Sequence, residues 1–105
     1  MRAGKLQARI QIERLELLVN DNGTARQRWL PILTTRAEVK EASTDEFLLN
    51  QIVGDKNRAV FLIRWPVQTI TTADRLTYAG RAWNIVGLQE IGRRRGLEIR
   101  CEAVG

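Results

Sequence analysis

The 105 residues fit one domain at the usual size of roughly 100–150 residues, and 17 Lys and Arg against 12 Asp and Glu leave a net charge of +5. Histidine is absent and Cys101 is the single cysteine, which excludes an internal disulfide, a zinc site built on Cys and His, and the Ser-His or Cys-His nucleophile pairings, so an enzyme is not expected. With 44% apolar and 28% charged residues the composition is that of an ordinary globular protein, and no apolar stretch nears the roughly 18 residues that span a bilayer. A chain kept in the cytosol, with no cofactor and no membrane contact, is the expectation. A domain this small buries only about 60–65% of its unfolded surface, so assembly would add to a thin margin of stability.

In chain order, Ala8 to Val19 begins as an alternation, with Ile10 and Ile12 on one side and Arg9, Gln11 and Glu13 on the other. The register changes near Arg14 to Leu15 and Leu17, which predicts a strand with a bulge. Asn20-Asp21-Asn22-Gly23 then supplies turn chemistry, because Asn and Gly tolerate positive φ, and a hairpin is expected. Its second limb, Thr24 to Lys40, is interrupted by Pro31, which donates nothing to a ladder and implies an edge position or a break. Ser43-Thr44-Asp45-Glu46 is a capping-box pattern that starts one short helix, with Phe47, Leu48 and Ile52 on one face and Gly54 closing it.

Asn57 to Trp65 is the strongest strand: Ala59, Phe61, Ile63 and Trp65 share one face, Val60 and Leu62 occupy the other, and a central position follows. Pro66 ends it, and a Thr-rich loop with Ile70 as its anchor runs to Asp74. Arg75 to Tyr78 and Arg81 to Leu88 form a tight hairpin across Ala79-Gly80. The last strand, Leu97 to Val104, points Leu97, Ile99, Cys101 and Ala103 inward. The fold expected is mainly β, a small single-domain barrel or sandwich of about six strands with one short inserted helix.

Gly92-Arg93-Arg94-Arg95-Gly96 is the most basic point of the chain, at a hairpin tip from which Arg93, Arg94 and Arg95 can reach phosphates or an acidic partner; the plainer role is a solvated turn. Trp65 and Trp83 are expected in the core, whereas Trp29 beside Leu30 suits a subunit anchor. Asp45 and Glu46 are neighbours on a helix and do not face each other, so capping rather than acid–base chemistry explains them. Asp21 lacks the acidic spacing of a calcium loop.

The order of these pieces resembles the head-tail joining (head closure) proteins of tailed phages. Met1-Arg2-Ala3-Gly4-Lys5-Leu6 before the Arg9-Ile10-Gln11-Ile12 strand is similar to that family's opening. The Asn22-Gly23 turn leading to Trp29, Ala37-Glu38-Val39, the Ser43 to Glu46 helix start, Ile63-Arg64-Trp65, the Tyr78-Ala79-Gly80-Arg81-Ala82-Trp83-Asn84-Ile85 hairpin and Arg93 to Arg95 follow in the family's order. Val67-Gln68-Thr69 departs from it, since relatives often carry a Gly soon after the Pro.

The resemblance implies a connector subunit in the virion, assembled in the bacterial host cytoplasm as a homo-oligomeric ring. Its partners would be a portal or adaptor protein on one side and a tail terminator or tail tube protein on the other, with double-stranded DNA passing through the channel. The same resemblance implies that the segment from about Glu41 to Lys56, with Asp45, Glu46, Asp55 and Lys56, projects into that channel. Phage, prophage and gene transfer agent origins are all compatible with it. The alternative is a stand-alone nucleic-acid-binding β-barrel that uses the basic hairpin.

Overall fold

A computed structural model describes residues 6–40 and 58–104. Six strands occupy most of them: β1 (Ala8–Val19), β2 (Ala25–Lys40), β3 (Arg58–Arg64), β4 (Arg75–Tyr78), β5 (Arg81–Ile91) and β6 (Gly96–Ala103). All pairings are antiparallel, and the order β1-β2-β3-β6-β5-β4 closes into a barrel because β1 pairs with β4 as well as with β2. Of the barrel or sandwich of about six strands that the sequence predicts, the barrel is the one observed. The expected helix, and with it Asp45, Glu46, Asp55 and Lys56, lies outside the described residues.

Each turn follows from its residues. Asn20 Oδ1 accepts hydrogen bonds from the Asn22 and Thr24 amides at 3.1 and 2.9 Å, and Gly23 adopts φ +77°, as the sequence predicts for this hairpin. At Ala79-Gly80 both residues have positive φ, the geometry of a two-residue hairpin whose twist matches its strands.

The interior is built from alternating positions: Ile10 and Ile12 of β1, Ala37 of β2, Phe61 and Ile63 of β3, Leu76 of β4, Trp83 and Ile85 of β5, and Leu97, Ile99 and Cys101 of β6. Phe61 sits at the centre and meets the edges of Tyr78 and Trp83 at 5.5 and 6.0 Å between ring centroids. Ile70 is buried against this core, as expected of the loop anchor, and β3 lies between β2 and β6 with Leu62 buried on its other face.

Three expectations need correction. The first concerns the bulge, whose extra residue is on β2 and not on β1: Ile12 opposes Leu33 and Glu13 opposes Pro31, leaving Ile32 as the insertion. β2 runs unbroken through Pro31, which is tolerated because its other edge has no strand beside it. Trp65 is not in the core but 40% exposed, because the ladder ends at Arg64 and Pro66 cannot extend it, so strand alternation no longer dictates where the indole points. Lastly, β5 continues to Ile91, three residues past the expected end.

Asp74 is the buried charged residue of the described chain and ties the loop before β4 to β1. Its carboxylate accepts from Arg14 Nε and Nη2 at 2.9 and 3.1 Å and from the Thr71 amide at 2.9 Å. Burial pushes this carboxyl up, but the Arg14 and Thr71 hydrogen bonds together with the Arg14 charge outweigh it, and the pKa is lowered. A carboxyl held below its unfolded value of about 4 contributes stability that is complete above that pH and is lost as pH falls through the folded value. We expect Asp74→Asn to cost about 1–2 kcal/mol at pH 7, from weakened charge-assisted hydrogen bonds, and to shrink the acid-induced loss of stability below about pH 4. Urea titrations at several pH values check this.

Burial also pushes the Cys101 thiol up, to about 12, so thiolate is scarce at neutral pH. The folded protein should resist thiol reagents at pH 8 and label only at the rate at which the barrel opens; rapid labelling of the native state, followed by mass spectrometry, would contradict the packing described.

Candidate assembly surfaces at the two ends of the barrel

Strand register gives the barrel two distinct ends. Ala37 opposes Ile63 and Lys40 opposes Val60, so Lys40 and Arg58, which flank residues 41–57, lie at one end. Arg64, opposite Gly96, lies at the other, and the β5–β6 turn of Gly92 to Arg95 is there as well. The β1–β2 hairpin extends towards this second end, since β4 meets β1 only from Ile10 to Glu13. β3 is seven residues long, so roughly 20 Å separates the anchor points of segment 41–57 from the basic turn. The basic turn is therefore placed apart from Lys40 and Arg58.

Beyond Glu13, β1 pairs only with β2, and before Ala37, β2 pairs only with β1. The result is a two-stranded arm, Arg14–Val19 against Ala25–Leu30, reaching about 20 Å past the last β1–β4 pair. Because β1 contains no extra residue, its alternation continues unbroken, and the polarity of its faces inverts. The side that carries Ile10 and Ile12 in the barrel carries Arg14, Glu16 and Leu18 in the arm. The outer side, polar in the barrel, now carries Leu15, Leu17 and Val19, opposite Trp29, Gln27 and Ala25.

Leu17 is 59% and Val19 66% exposed. On the opposite face Arg28 Nε donates to Glu16 Oε2 at 3.1 Å, an exposed pair of small energetic weight. Adjacent on one strand, Trp29 and Leu30 point to opposite faces, and only Trp29 joins the apolar side. The arm is fixed at its root on both faces. On the inner one, Arg14 binds Asp74 and donates to the Thr69 carbonyl at 2.7 Å. On the outer one, Arg75 donates to Glu13 at 2.8 Å and places its guanidinium 4.4 Å from the centre of the Trp29 ring.

The basic turn is held by backbone geometry. Gly92 and Arg94 have φ +63° and +56°, and the Arg95 amide donates to the Ile91 carbonyl at 3.1 Å. The Trp65 amide donates to the Arg95 carbonyl at 3.3 Å, and the Arg94 guanidinium lies 5.8 Å from the Trp65 ring centre. Sequence reading separated this tryptophan from the three arginines; the signal that joins them is the β3–β6 register, which places Arg64 against Gly96. Elsewhere, an open depression of about 360 Å³ beside the β1–β4 seam is lined mainly by Arg9, Gln11, Thr34, Thr77 and Tyr78, with no set of ionisable groups converging in it.

A model of the phage head completion protein family matches residues 1–104. A search of curated proteins finds no match. Among solved structures, the chain resembles the solution structure of protein SF1141 from Shigella flexneri 2a, with 27% identity over 98% of this chain and 96% of that one and a TM-score of 0.75. It also shares its fold with a chain of the virion of a native gene transfer agent particle, at 16% identity, a TM-score of 0.62 and coverage of 94% and 96%. A six-stranded barrel that leaves an apolar arm unburied and a family match over essentially the whole length agree, and the chain belongs to the phage head completion proteins, structural components of phage-type particles.

Proposed function

We propose that the protein is a head-closure (stopper) subunit that assembles as a ring between the portal or adaptor and the tail, in the virion, after synthesis in the host cytoplasm. The observation that supports this best is the inverted arm: Leu15, Leu17, Val19 and Trp29 form an outward apolar face on a two-stranded ribbon, a unit only marginally stable by itself. Burying that face against a neighbouring copy stabilises ribbon and ring together. Head-to-tail contacts of this kind close when the rotation between copies permits. The exposed apolar area of the three aliphatic residues is on the order of 300 Å², well below the ~800 Å² per partner of a stable pair, so free subunits stay monomeric and the ring forms on its docking platform.

In this reading segment 41–57, whose flanking Lys40 and Arg58 lie at the end away from the arm, faces the channel, and Asp45, Glu46, Asp55 and Lys56 line it with mixed charge. Many weak contacts from several copies then retain double-stranded DNA without blocking its exit. The arm end offers the surface for the next connector or tail protein. Chemistry on bonds has no part in it.

Two sets of substitutions test the proposal in assembled particles. Leu17→Lys with Val19→Lys should change the stability of the free chain by no more than about 0.5 kcal/mol, because the sites are exposed. The same pair should abolish incorporation into particles, leaving DNA-filled heads that leak or lack tails in electron micrographs. Charge reversal at Asp45, Glu46 and Asp55 should permit incorporation but alter DNA retention or ejection. Normal, infectious particles from both sets would refute the assignment.

A further inference from the structure

The structure brings Arg64 beside three guanidinium groups that follow it by about thirty residues in the sequence. Arg64 ends β3 opposite Gly96, and Arg93, Arg94 and Arg95 form the turn that precedes Gly96. All four are exposed. The carboxylate that reaches this cluster is Glu90, 3.8 Å from Arg94. Arg64, Arg93 and Arg95 have no ion-pair partner among the described residues. Elsewhere five arginines stand beside acids, Arg14 with Asp74, Arg28 with Glu16, Arg58 with Glu102, Arg75 with Glu13 and Arg100 with Glu98, while Arg9 and Arg36, opposite each other on β1 and β2, and Arg26 on the arm have no ion pair among the described residues. What sets this hairpin tip apart is density: four guanidinium groups beside one carboxylate leave an unbalanced charge of about +3 at one turn.

We propose that Arg64, Trp65 and Arg93 to Arg95 form one site that binds the phosphate backbone of duplex DNA without regard to sequence. Guanidinium forks match phosphate oxygens, and a convex β-hairpin fits a groove of a duplex, whereas single strands are taken up in channels with free aromatic faces. The indole face of Trp65 is occupied by Arg94, so the tryptophan acts as a platform that holds Arg94 upright and not as a stacking surface for bases. The positive φ of Arg94 and the Trp65–Arg95 backbone hydrogen bond fix the turn before any ligand arrives. The site is at the end of the barrel away from Lys40 and Arg58, and it does not depend on ring formation.

The test uses the full free chain and a 30-base-pair duplex of arbitrary sequence, with binding followed by fluorescence anisotropy from 20 to 200 mM salt. Four phosphate contacts predict a log–log salt slope of about −3 to −4. Single Arg→Gln changes at 64, 93 or 95 should each reduce the slope by about 1, and the quadruple change should remove binding at 100 mM salt. Arg26→Gln, on the arm, should leave the slope unchanged. All variants lie on exposed positions, and an unaltered thermal midpoint confirms that they fold. The proposal is overturned if the quadruple variant binds as the parent does, if no duplex binding is seen at 20 mM salt, if single strands bind more tightly than the duplex, or if polyglutamate of equal charge competes as well as DNA, which would indicate an acidic protein partner.

Discussion

The structure depends on the closure made by four residues. Ile10 to Glu13 pair with β2 on one side and with β4 on the other, and this second ladder converts an open sheet into a barrel whose interior is shared by all six strands. Closure removes unpaired edges from the wall, which otherwise invite uncontrolled association, and leaves free edges on β2 before Ala37 and along the arm. It also sets where the barrel stops: β4 is four residues long, so β1 and β2 leave the wall together at Glu13 and continue as a ribbon. The Arg14–Asp74 and Arg75–Glu13 pairs, one on each face, hold the departing strands at a defined angle to the wall.

What the barrel leaves open is as informative as what it buries. Within the wall β1 points its apolar side chains, Ile10 and Ile12, inward, yet in the arm its outer face is the apolar one. The folded monomer gains nothing from that inversion, because Leu17 and Val19 face water. A protein whose work is assembly uses such a face, and membership of a family of head completion proteins gives the inversion its context. The basic turn adds a second surface near the same end, so the described molecule has three parts: a sealed core, an apolar arm and basic tip at one end, and the anchor points of segment 41–57 at the other.

Most of the barrel was legible in the sequence, because strict alternation in Ala8 to Glu13, Ala59 to Ile63 and Leu97 to Ala103 reports an inward face directly, and Asn20 to Gly23 and Ala79-Gly80 carry turn geometry in their residue types. The irregular positions were less so. A register change in β1 looks the same in sequence whether the extra residue lies on that strand or on its partner, and only the pairing of Glu13 with Pro31 assigns it to Ile32. Trp65 continued the alternation of Phe61 and Ile63 on paper but falls one residue past the ladder. Its companionship with Arg94, like that of Arg14 with Asp74, spans residues far apart in sequence and has no local signature.

The central claim is that a closed, stable barrel carries an arm that completes its burial only in an assembly. Residue-resolved amide hydrogen exchange measures both halves of it. In the free chain, amides of the β3–β6 ladder and of Ile10 to Ile12 should exchange only on global unfolding, while those of Leu15 to Val19 and Arg26 to Trp29 exchange many times faster. Incorporation into particles should slow the arm to the pace of the barrel. Equal protection of arm and barrel in the free monomer, or an arm as exchangeable in particles as in solution, would contradict the account.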